Sequence, residues 1–104
     1  MKKRIDAYEL SKRISVHTHF RLNTDDVLSP LKVQATFDKV AVDCAGTPTV
    51  YLLLCDSNLQ VDICHIKEIH FKADGWLTIY YLTCLDYTSS PTSPREITYS
   101  IECM

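Results

Sequence analysis

A chain of 104 residues with 46% hydrophobic and 23% charged side chains suits one soluble globular domain with one core, and excludes a largely disordered segment. The formal net charge of -2 hides a split: residues 1–21 carry +4 and the rest carries -6, so most of the surface would repel a polyanion. No apolar run approaches the roughly 20 residues that span a bilayer, and Asp6, Glu9, Lys12 and Arg13 interrupt any secretion-signal core after Met1, so a cytoplasmic protein without membrane contact is expected.

Residues 1–14 form a basic N-terminal element with a short helix. Asp6 is placed as its N-cap and Glu9 at the capping-box position, and Ala7, Leu10 and Ile14 recur at helical spacing. Two turns cannot stand alone, so this helix must pack on the β domain expected over residues 15–104. Residues 15–22 alternate Val16, Thr18, Phe20 and Leu22 with His17, His19 and Arg21, the pattern of a half-buried strand. After a polar loop, Val33, Ala35 and Phe37 begin a second strand that bends at Asp38 and continues through Val40, Val42 and Cys44. Residues 49–55 are apolar on both faces and rich in β-formers, which predicts a central strand. Asp56, Ser57 and Asn58 turn the chain into a short strand with Val61 and Ile63 on one face, and residues 65–67 make a tight turn.

The hairpin that follows is expected to turn through Ala73-Asp74-Gly75, with Gly75 supplying the left-handed residue of a three-residue loop. Closing the strands on Lys72 and Trp76 sets Phe71 opposite Leu77 and Ile69 opposite Ile79. Glu68, His70, Lys72, Trp76, Thr78 and Tyr80 then share the other face. The second arm runs to about Tyr87. Residues 88–95, with two prolines, predict a mobile loop, and Ile97, Tyr99, Ile101 and Cys103 alternate inward along a final amphipathic strand. About seven closely spaced strands predict a mainly β fold: an antiparallel meander, as a small partly open barrel or a two-layer sandwich, with a short N-terminal helix.

Catalytic and metal motifs are not found. The two glycines, Gly46 and Gly75, both fall in turns, so no phosphate-cradling loop is available. The five cysteines (Cys44, Cys55, Cys64, Cys84, Cys103) are odd in number and lack C-x-x-C spacing, and are read as structural thiols packing as small hydrophobes. His17-x-His19 alone makes no metal site, because a third ligand has no sequence signal. No catalytic residue, cofactor or metal is therefore assigned.

The functional expectation rests on the outer face of the second hairpin arm. Trp76, Tyr80 and Leu82, with Cys84, oppose Leu77, Ile79, Tyr81 and Leu85, so this strand is apolar on both sides and something must cover it. Trp76, Tyr80 and Leu82, edged by Lys72 and His70, point to a non-catalytic protein-binding module: an adaptor, an accessory subunit or a small acidic inhibitor. Its partner is a separate protein or a second copy as a homodimer. The alternative cover is the N-terminal helix. The second-ranked function is a small β-barrel that binds nucleic acid through Lys2, Lys3, Arg4, Lys12 and Arg13 and stacks bases on Trp76 and Tyr80.

Overall fold

The computed structural model describes residues 3–14, 19–25, 32–43, 47–54, 60–87 and 91–103. Strand β1 (Lys3–Ile5) precedes helix α1 (Ala7–Arg13). Then come β2 (His19–Thr24), β3 (Lys32–Asp43), β4 (Thr49–Leu54), β5 (Gln60–Ile63), β6 (Ile66–Asp74), β7 (Leu77–Asp86) and β8 (Arg95–Cys103). Lys2, His17, Cys44, Cys55, the turn at 56–58 and loop positions 88–90 lie outside the described residues.

All strand pairs are antiparallel, in the order β1-β6-β7-β8-β2-β3-β4-β5. Two meanders, β2 to β5 and β6 to β8, are thus joined by β8 lying beside β2. The mainly β antiparallel expectation holds, and the described strands close no barrel. The sheet must nevertheless curl. Only Cys64 and His65 link β5, at one edge, to β6, one strand from the other edge, and two extended residues span only about 7 Å. Bonds from the Ile66 amide to the Pro48 carbonyl (3.3 Å) and from the Leu85 amide to the His65 carbonyl (3.0 Å) tie that junction down.

The expected bend in β3 is present, as a register shift between Phe37 and Lys39 where the strand leaves β2 and takes up β4. Strand β4 lies inside the sheet between β3 and β5, second from the edge, and its residues Tyr51 and Leu53 are half-buried. The N-terminal element is also divided. Lys3–Ile5 pairs with β6 instead of entering the helix, because Asp6 caps the helix there: its Oδ1 accepts from the Glu9 amide at 2.7 Å. Seven helical residues gain little by propensity. Their anchoring comes from Ala7, Leu10 and, just past the last turn, Ile14, which are buried in one core with Phe20, Leu22, Leu52, Ile69, Leu82 and Ile101.

The hairpin register differs from the sequence reading. Asp74 pairs with Leu77, so the loop is the two residues Gly75-Trp76, and Phe71 faces Tyr80 and Ile69 faces Leu82. The shift is an odd number of positions, so it inverts both faces of β7. Gly75 at φ +63° opens the loop, the pattern of a type II′ turn, whose twist matches that of the strands. A side chain added at Gly75 would meet nothing within 4 Å, so the cost of substitution is backbone strain alone. Gly75→Ala is expected to lower the unfolding free energy by about 1–2 kcal/mol in a denaturant titration, and Gly75→Asn by less.

Candidate functional site

The final strand decides which face of β7 goes inside. Ile97, Tyr99, Ile101 and Cys103 of β8 alternate inward as expected and pair with Cys84, Leu82, Tyr80 and Thr78. Directly paired antiparallel residues share a face, so Tyr80 (5% exposed) and Leu82 (0%) belong to the core. The expectation that they form an outer strip with Trp76 is corrected: the strip at Tyr80, Leu82 and Cys84 is the inner face, and it shares one core with Leu10 and Ile14 of the N-terminal element. The stacking platform of the nucleic-acid reading loses Tyr80 for the same reason.

Outward along β7 stand Leu77, Ile79, Tyr81, Thr83 and Leu85, all half-buried. Beyond them, in the loop, Trp76 is 93% exposed. On the β6 side Lys72 pairs with Ile79 and His70 with Tyr81; on the β8 side Glu102 pairs with Ile79 and Ser100 with Tyr81. Of the five residues expected to bind, the structure thus keeps Trp76, Lys72 and His70 on one outer surface and withdraws Tyr80 and Leu82. It supplies Leu77, Ile79 and Tyr81 in their place. A Gly-first two-residue loop at Gly75-Trp76 was the signal that would have found them.

The charges around this surface are organised in pairs. Arg21 Nη1 lies 3.4 Å from Glu102 Oε2, Lys67 Nζ 2.6 Å from Glu96 Oε1, and His70 Nε2 4.0 Å from Glu68 Oε2. A register shift between Ile66 and Glu68 leaves Lys67 unmatched on the ladder. Its hydrogen bond to Glu96, followed by the charge of that carboxylate, raises its pKa. Of the basic N-terminal set, the described members stand on β1 and α1. Lys3 and Arg4 sit exposed on an edge strand, Lys12 lies over the Tyr8 ring at 4.6 Å, and Arg13 is engaged by Glu9 at 3.1 Å and by the Phe71 ring at 4.4 Å.

A second feature lies at the junction of β5 and β6. A cleft of about 400 Å³ is lined by Asp62, Cys64, His65, Cys84, Asp86 and Tyr87, among others. His65 adopts φ +54°, unusual for a side-chain-bearing residue, and its ring meets Tyr87 edge-on at 5.2 Å between centroids. Arg95 Nη2 forms an ion pair with Asp86 Oδ2 at the cleft wall. Cys64 is exposed rather than packed, whereas Cys84 is buried. Burial, and then the neighbouring Cys64, push the Cys84 thiol up to about 12, and burial pushes Cys103 to about 11. Among the described residues no three His, Cys, Asp or Glu side chains converge to hold a metal, and His19 Nδ1 is 3.1 Å from Thr36 Oγ1. No helix among the described residues is long and apolar enough to cross a membrane.

Among the described residues these features define a curled antiparallel sheet of eight strands sharing a core with one short helix, with an apolar row on its outer surface. No protein-family model matches the chain, and no curated protein matches it. Its fold is similar to that of the YojF protein of Bacillus subtilis, a crystal structure superposing with a TM-score of 0.55 over 98% of this chain and 92% of that one. With 10% of residues identical, the likeness concerns fold alone.

Proposed function

We propose that this protein is a non-catalytic cytoplasmic module that acts through protein contact, as an adaptor or accessory subunit, and that the outward surface of the β6–β7 hairpin is where it binds. The observation that carries this reading is Trp76, 93% exposed at the tip of a hairpin whose outer side continues into Leu77, Ile79 and Tyr81. A lone exposed apolar residue means little, but a tryptophan contiguous with an aliphatic row, rimmed by His70 and Lys72, has the composition of an interface centre. The free thiols of Cys64, Cys84 and Cys103 suit a reducing compartment.

A photo-reactive residue placed at position 76 in the cell is expected to yield a protein adduct, whereas one at the exposed Ser93 is not. Equal capture at both positions, or an adduct to nucleic acid, would count against the reading. The complex should also persist when salt is raised past the range that screens surface charges, because its centre is apolar. Loss of binding on that change would favour the acidic-inhibitor form of the idea.

A further inference from the structure

We infer that the outward face of β7 is a self-association surface, and that two copies of this chain pack there about a two-fold axis running parallel to β7. The inference rests on the binding surface just proposed and names its occupant. Its basis is the arrangement of charge across one row of the sheet. Ile79 is flanked by Lys72 on the β6 side and by Glu102 on the β8 side. Because directly paired residues share a face, the three side chains leave the sheet together, cation, aliphatic, anion.

Rotation about an axis parallel to the strand exchanges left and right while turning the surface to face its copy. It places Ile79 on Ile79, Lys72 of each copy over Glu102 of the other, and both Trp76 side chains at the same end of the interface. Two-fold contacts are isologous, so each favourable pair occurs twice. In the next row His70 and Ser100 stand on either side of Tyr81, so the same rotation sets each over the other. Sheets packed face to face keep their strands within about 30° of each other at about 10 Å, which holds Lys72 within reach of the opposite row. Lys72 is exposed, and Arg21 steadies the Glu102 carboxylate from the β2 side at 3.4 Å. A foreign partner would have no reason to match this left-right opposition, whereas a second copy matches it automatically.

Sedimentation equilibrium of the purified chain tests the inference. Wild type is expected to dimerise, and Lys72→Glu and Glu102→Lys each to weaken the dimer at least about tenfold by placing like charges together. The decisive sample is an equimolar mixture of the two single variants. In the mixed dimer one copy carries glutamate at both positions and the other lysine at both, so both cross-contacts become attractive and a heterodimer should form where neither variant self-associates. Ile79→Arg should give a monomer that no charge variant rescues. Circular dichroism checks folding, and if Glu102→Lys is unstable for want of its Arg21 contact, Glu102→Gln replaces it, with a weakened dimer expected. A wild-type chain that is monomeric at every attainable concentration overturns the inference, as does a dimer indifferent to both Lys72→Glu and Ile79→Arg. If that monomer still gives an adduct to a different protein at position 76, the binding surface stands and only its occupant changes. A monomer with no adduct removes both.

Discussion

Leu82→Ala is expected to destabilise the fold by about 2–5 kcal/mol, the range for truncating a fully buried leucine, while Trp76→Ala should leave stability within about 0.5 kcal/mol of wild type. Leu82 has no exposed surface; it pairs with Ile69 on one side and Tyr99 on the other, and belongs to the same core as the helix residues Ala7 and Leu10. Its removal leaves a cavity at the centre of the sheet, which rigid neighbouring strands cannot collapse to fill. Trp76 makes the opposite case, since 93% of its surface is already in water and truncation there removes little buried area. Urea titrations followed by far-ultraviolet circular dichroism measure both. Fluorescence is a poor probe, because Trp76 is the only tryptophan in the chain and is solvated when folded. Loss of folding in Trp76→Ala with little change in Leu82→Ala would restore the three-residue loop, in which Trp76 opens a strand.

The contrast between these two positions also shows what the sequence could and could not reveal. Strands with one clear apolar face were legible: β8 alternates from Glu96 to Cys103, and the cap at Asp6 and the break near Asp38 carry local signals that no distant contact overrides. Strand β7 was not legible, because Leu77, Ile79, Tyr81 and Leu85 are as apolar as Tyr80, Leu82 and Cys84. Periodicity then identifies a strand without saying which side is inside. The expected loop Ala73-Asp74-Gly75 and the observed loop Gly75-Trp76 both use Gly75 for its positive φ. The choice was made elsewhere, by β8, whose single apolar face can meet only one side of β7. The segment Lys3–Ile5 escaped notice for a related reason: three residues of mixed polarity hold no pattern, and they become a strand only because β6 offers them an edge. The residues expected to share one surface therefore do lie on one hairpin, but Tyr80 and Leu82 fall on its inner face.

The buried face of β7 makes a second strong effect, in the pH dependence of stability. Folding raises the thiol of Cys84 from 9.0 to about 12, first by burial and second through the neighbouring Cys64, and raises Cys103 to about 11 by burial. Burial likewise raises the Tyr80 hydroxyl. Between the unfolded and folded values, the unfolded chain releases protons that the folded chain keeps, so the unfolded state binds fewer and stability falls as pH rises. The contribution is intact below about pH 9 and is lost progressively as pH climbs through about 12. For Cys84 alone, with about 1.4 kcal/mol for each unit of separation, the loss by about pH 11 is on the order of 2–3 kcal/mol. Cys84→Ala separates this from general alkaline damage. It is expected to cost about 1–2 kcal/mol near neutral pH through the lost sulfur packing, and to show a shallower decline between about pH 9 and 11, with Cys103 and Tyr80 supplying the remainder. Unfolding titrations of both proteins across that range give the two slopes directly. Equal slopes would mean that the Cys84 thiol ionises as readily inside the sheet as outside it, and would overturn this account of the alkaline loss.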